Sequence, residues 1–149
     1  WSASHQQIYQ QLKALTDSGH LSVTEISQSG KPDKRLYGLT DSGRETLANW
    51  VKCETKRKPA RDDLFVKLYN ISATEQPFLL AEIERREQEH QQRLALYEKI
   101  RYRGYSQPEA LSSRRQGMYL SLLAGIYQEQ AALRWCEEAR HLLQSTATD

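Results

Sequence analysis

The sequence predicts a mainly α-helical chain in two parts: a helix, a two-stranded hairpin and a second helix, followed by an all-helical arm. Three observations carry this reading. Apolar residues recur at helical spacing in two short segments, Ile8, Leu12, Leu15 and then Leu47, Trp50, Val51. Between them, two short runs flank a turn cluster, Ser29-Gly30-Lys31-Pro32-Asp33. Beyond Asp62 the apolar residues keep a three-four rhythm, interrupted only at short breaks.

The first helix should run from Ser4 to Asp17. Ser2 or Ser4 can accept hydrogen bonds from the orphan N–H groups of its first turn, and Gly19 stops it. The face opposite the apolar stripe carries Gln6, Gln10, Lys13 and Asp17, with Tyr9 on its flank and His5 and Gln7 in the first turn. Leu21 to Gln28 alternates until the parity slips at Ile26, and Lys34 to Leu39 resumes with Leu36 and Tyr37. Thr40 caps a second helix, with Leu47, Trp50 and Val51 as its apolar stripe. Residues 1–52 thus form one domain. Residues 53–61, polar, basic and containing Pro59, read as a linker.

Residues 62–149 read as a helical dimerisation domain. Asp62 to Tyr69 opens it with Leu64, Phe65 and Leu68. Ser72 to Glu75 reads as a capping box, with Pro77 in the first turn of the helix it opens. Leu80, Ile83, Glu87, His90, Leu94 and Tyr97 then form a heptad-like seam with a polar middle, in which His90 sets register. Gly104-Tyr105 breaks the seam. Ser106 to Glu109 reads as another capping box, opening a helix that runs to about Gln144. Met118 to Tyr127 is apolar nearly all round, which requires cover on several sides. A second copy of the chain is the simplest cover, through Met118, Leu122, Ile126 and Leu133.

Composition narrows the function. The 149 residues carry a formal net charge of +2, with +3 in residues 1–60 and −1 in the rest. No apolar run approaches the ~18 residues of a membrane helix, and no signal-peptide pattern opens the chain, so a cytoplasmic protein is expected. Cys53 and Cys136 make no disulfide scaffold, and the four histidines show no metal-ligand spacing. Cys53 has basic neighbours, but an ordinary thiol beside a linker is the simpler reading, and Cys136 falls on the apolar seam of the last helix. The phosphate-loop, dinucleotide and nucleophile-elbow signatures are missing. No enzyme, cofactor or metal is expected.

A connected set points to nucleic acid instead. Gln6, Gln7 and Gln10 can offer bidentate amides to base edges, with His5 and Lys13 beside them. A hairpin carrying Lys31, Lys34 and Arg35 follows at once. A helix and then a basic-tipped hairpin is the order of a partial winged helix-turn-helix with a two-stranded wing. There the helix enters the major groove and the wing lies along phosphates or the minor groove. The alternative is a helical protein–protein interaction module whose winged helix does not bind DNA.

Three stretches carry a family resemblance: Trp1-Ser2-Ala3-Ser4-His5-Gln6-Gln7-Ile8-Tyr9-Gln10-Gln11-Leu12, then Ser18-Gly19-His20-Leu21, then Lys34-Arg35-Leu36-Tyr37-Gly38-Leu39-Thr40-Asp41-Ser42-Gly43-Arg44. They resemble the PadR family of bacterial transcriptional regulators over most of residues 1–52. The helical arm is similar in layout to the AphA-like branch with a long helical C-terminal domain. The resemblance implies a homodimer on a palindromic double-stranded DNA operator, with Ser4 opening the recognition helix. It implies that Tyr9 touches backbone phosphate and that Lys34 and Arg35 start the wing's return strand. It also implies that the last helix exchanges contacts with its mate. It places further helices ahead of Trp1, the packing partners of Ile8, Leu12 and Leu15. Several relatives respond to small aromatic molecules, which makes Trp135 and Trp50 candidate ligand contacts.

Overall fold

The computed structural model describes residues 3–28, 30, 33–56 and 61–145. The chain divides into two compact units, Trp1–Pro59 and Ala60–Asp149. The expected fold class is observed: a helix, a two-stranded antiparallel wing and a second helix, then a helical arm.

The first unit opens with α1, His5–Asp17. Ser4 is its N-cap: its hydroxyl accepts from the Gln7 N–H at 3.2 Å, and the Gln7 side-chain Oε1 accepts from the Ser4 N–H at 2.9 Å. This reciprocal box satisfies two orphan donors. Gly19, at φ 75°, turns the chain out of the helix. Strands β1 (Leu21–Ile26) and β2 (Lys34–Leu39) pair antiparallel from Leu21↔Leu39 to Ile26↔Lys34. The pairing stays regular through Ile26, so the parity slip puts Ile26 on the face opposite Leu21 and Val23.

Helix α2, Asp41–Val51, packs its start against the turn that follows α1. The Thr40 N–H donates to the His20 carbonyl at 3.1 Å, and the Thr40 hydroxyl donates to the Gly19 carbonyl at 2.7 Å. That same hydroxyl accepts from the Gly43 N–H at 3.0 Å, as expected of the cap. The expected apolar stripe is not a buried one: Trp50 and Val51 are both about two-thirds exposed. Gly43 is the only buried residue among those described in this unit, because α2 approaches the turn there backbone to backbone.

In the second unit, α3 (Asp63–Tyr69), α4 (Gln76–Gly104) and α5 (Ser113–Ser145) surround a small core. Leu64, Leu79, Ile83 and Cys136 are buried together, with Leu68, Ile71, Trp135, Ala139 and Leu143 packed around them. Two expected helix starts are corrected. Of the box at Ser72 only one arm forms: the Glu75 carboxylate accepts from the Ser72 N–H at 3.2 Å, but the Ser72 hydroxyl donates to that same carboxylate instead of accepting from the backbone. Residues 73–75 form a turn, and the helix starts at Gln76 with Pro77 still in its first turn. Ser106 does not open α5. Pro108–Ala110 is a single 3-10 turn, Leu111 is extended at ψ 147°, and the helix starts six residues later than expected, at Ser113. A capping box satisfies donors only if the chain continues as helix, and the extended Leu111 prevents that.

The seam between α4 and α5 has the expected polar middle. The His90 imidazole and the Arg93 guanidinium both meet the Glu129 carboxylate, and Glu87 pairs with Arg140 at 3.5 Å. Further along, Tyr97 lies against Gly125, where an added Cβ would sit 3.1 Å from the ring. Met118–Tyr127 is not enclosed on all sides within the chain. Ile126 is fully buried, Leu122 and Leu123 are half-buried, and Met118, Leu120 and Tyr127 are more than half exposed.

Asp62 joins two elements. Its carboxylate caps α3 by accepting from the Leu64 N–H at 3.0 Å, and it takes both arms of the Arg86 guanidinium at 2.5 and 3.0 Å. Hydrogen bonding from Arg86, then from the Leu64 N–H, holds this carboxyl below its ordinary range. A group depressed in the folded state contributes stability that is complete above its unfolded pKa, about 3.9, and is lost as pH falls through the folded value. Denaturant unfolding as a function of pH is therefore expected to show a fall in stability below about pH 4 that Asp62→Asn flattens. An Asp62→Asn variant that keeps the wild-type acid profile would show that this pair plays no part in it.

Candidate nucleic-acid interface

The candidate interface lies in the first unit. The capping box fixes the start of α1, so the first-turn side chains leave a defined N-terminus. Ser4 and Gln7 are engaged in that box through their side-chain oxygens, which leaves the Ser4 O–H and the Gln7 amide NH2 free to donate. His5, Gln6, Gln10 and Lys13 are exposed along the helix. Tyr9 is 61% exposed.

The structure brings three of the expected residues to one place. Tyr9 from α1 and Lys34, Arg35 and Tyr37 from β2 line a shallow groove with Gln28 and Asp33. Helix and wing are joined by a tight turn and by the packing of α1 on β1, so this juxtaposition follows from the hairpin register. Lys31 lies outside the described residues.

Three contributors are not evident from the sequence reading. Glu25 stands directly opposite Arg35, and its carboxylate accepts from the guanidinium at 2.9 Å. A phosphate would have to compete with that carboxylate, though both groups are about 60% exposed and an exposed pair of this kind is weak. Asp33 accepts from the Gln28 N–H at 3.4 Å and closes the wing next to the turn. Tyr37 is half-buried and contributes to the groove wall. Cross-strand register counted back from the turn is the signal that could have found the Glu25–Arg35 pair.

The remaining candidates lie elsewhere. Trp50 is exposed on α2, whereas Trp135 on α5 packs edge-on against Phe65 with ring centroids 5.4 Å apart. Of the four expected dimer contacts, Met118 is exposed, Leu122 and Leu133 are half-buried, and Ile126 is wholly inside its own protomer. Ile126 is therefore corrected to a core residue of the α4–α5 seam: a side chain with no exposed surface has none left for a partner. Among the described residues no group of His, Cys, Asp and Glu could hold a metal ion, and no helix is long and apolar enough to cross a membrane.

Comparison with known proteins matches both units. Residues 1–49 match the description "Transcriptional regulator PadR-like family", and residues 60–144 match "Virulence activator alpha C-term". A probable transcriptional regulator of Mycobacterium tuberculosis is 31% identical, over 97% of this chain and 82% of its own length. The structure of the Vibrio cholerae virulence activator AphA is similar with a TM-score of 0.77 and 25% identity, covering 99% of this chain and 82% of that one. Bacillus subtilis PadR in complex with operator DNA is similar with a TM-score of 0.76 and 28% identity, covering 96% and 81%. The same Bacillus protein in complex with p-coumaric acid gives 0.71 and 28%, covering 97% and 78%.

Proposed function

The chain belongs to the PadR-like family of transcriptional regulators, and from that premise we propose that it is a dimeric cytoplasmic regulator that reads double-stranded operator DNA and catalyses no reaction. One observation carries the proposal: the groove that joins Tyr9 of the capped helix to Lys34 and Arg35 of the wing. A helix in the major groove and a basic strand on the flanking phosphates need that adjacency. The operator complex of the Bacillus relative supports it.

Within this reading the roles divide by chemistry. Gln6 and Gln10, whose amides are not spent on the cap, read base edges, and His5 contributes beside them. Gln7 reads through its NH2 alone, and Ser4 orders the helix start. Tyr9, Lys13, Lys31, Lys34 and Arg35 take phosphates, which fixes register without reading sequence. The dimer forms through the exposed and half-buried apolar residues of α5, with Met118, Leu122 and Leu133 among them. The relative solved with p-coumaric acid supports a small aromatic effector. Trp50 is free to stack on such a molecule, while Trp135 is engaged by Phe65.

Selection from a random DNA pool, followed by titration of the selected site, tests the reading. Lys34→Ala is expected to weaken binding to all sequences alike and to reduce the slope of log K against log salt by about 0.9. Gln6→Ala is expected to relax preference at one base pair by ~1–3 kcal/mol. Equal losses for both variants on every sequence would overturn the division of roles, and no enrichment of any sequence would overturn the reading itself.

A further inference from the structure

The end of the arm where α4 gives way to α5 carries a feature that operator binding does not use. Residues 98–119 hold five Lys and Arg against two Glu, a local surplus of +3 in a chain whose total is +2. Arg101, Tyr102, Arg103 and Tyr105 line a groove there with Glu98 and Ser106. Tyr102 is 87% exposed between its two arginines.

The neighbouring aromatics are ordered. The Arg115 guanidinium lies over the Tyr105 ring, 5.6 Å from its centroid, and donates to the Gly104 carbonyl at 2.8 Å. Tyr105 in turn packs on Tyr119 with centroids 5.3 Å apart. Arg101 pairs with Glu98 at 3.5 Å, whereas Lys99, Arg103 and Arg114 have no ion-pair partner among the described residues. The tip therefore presents a fixed aromatic wall, one free ring and three unneutralised cations.

We propose that this tip is a second binding surface, for single-stranded nucleic acid. Cations interleaved with an exposed ring match a ligand that alternates phosphate charge with flat base faces. A duplex hides its base faces and would use the cations alone. An acidic peptide offers charge but no ring to stack on Tyr102. This proposal does not rest on the operator reading.

The test uses the whole chain and a fluorescent oligothymidine of about ten nucleotides, within the usual range of single-strand site sizes. The expected result is a loss of at least about tenfold in affinity for Arg103→Ala/Arg114→Ala and about fivefold or more for Tyr102→Ala, with Tyr102→Trp restoring binding. Lys34→Ala should leave oligothymidine affinity unchanged while it weakens operator binding, which separates this surface from the wing. Wild-type affinity in the double arginine variant, or in Tyr102→Ala, overturns the proposal. So does an equal loss on a non-operator duplex of the same length, or displacement of the strand by polyglutamate as effectively as by unlabelled oligothymidine.

Discussion

Gly43→Ala is expected to destabilise the first unit by about 2 kcal/mol or more, the opposite of what a glycine in a helix ordinarily does on replacement. Alanine is the better helix former, and Gly→Ala in an unstrained helix gains up to ~1 kcal/mol. Here the new Cβ would lie 2.1 Å from the His20 carbonyl oxygen, 3.0 Å from its carbon and 3.2 Å from Leu39 Cδ2. The nearest atoms belong to backbone, so no rotamer change relieves the clash. That carbonyl also accepts the Thr40 N–H, and Thr40 bonds both Gly19 and Gly43. Moving α2 away breaks this set, at about 0.5–1.5 kcal/mol for each net hydrogen bond. Gly117→Ala is the matched control: it lies within α5 and nothing comes within 4 Å of its Cβ, so a small gain is expected. Denaturant titrations of the two variants make the comparison. If Gly43→Ala is neutral or stabilising, α2 does not dock as described. Operator affinity should fall with stability, because α2 follows directly on the strand that carries Lys34 and Arg35.

The largest effect in the second unit is expected from Ile83→Ala, a loss of about 3–4 kcal/mol. Only five apolar side chains are buried among the described residues, so each holds a large share of the packing. Ile83 has no exposed surface and lies with Leu64 of α3, Leu79 of its own helix and Cys136 of α5. Truncation to alanine leaves a cavity where three helices meet, and long helices close such a gap poorly. Ile83→Val removes one methylene and should cost only ~0.5–1.5 kcal/mol. Equal costs for the two variants in urea unfolding would mean that the site is loosely packed. Far-UV circular dichroism checks that both variants keep their helices.

Much of this architecture is legible in local sequence. The cap at Ser4, the stop at Gly19, the Thr40 cap and the polar middle of the α4–α5 seam rest on contacts a few residues apart or on a repeating period. The two helix starts that differ from expectation do so where the hydroxyl finds another acceptor, at Ser72, or the chain turns extended, at Leu111. Ser72-Glu75 and Ser106-Glu109 have the composition of a box, but whether a box caps a helix depends on the backbone that follows it.

The candidate interface divides in the same way. Its residue types, amides on one helix face and cations on a hairpin, are evident from spacing. Which of them share a groove is not. The meeting of Tyr9 with Lys34 and Tyr37, and the opposition of Glu25 to Arg35, depend on strand register and on the angle at which the helix enters the sheet. Ile126 makes the same point in the arm. Residue spacing alone shows the stretch to be apolar all round, but the packing of α4 is what turns Ile126 inward while Met118 and Leu120 stay exposed. Helical period and end-capping act over one or two turns and are written in neighbouring residues. Side-chain partnership across elements is settled by the placement of whole backbones, which no local run of residues encodes.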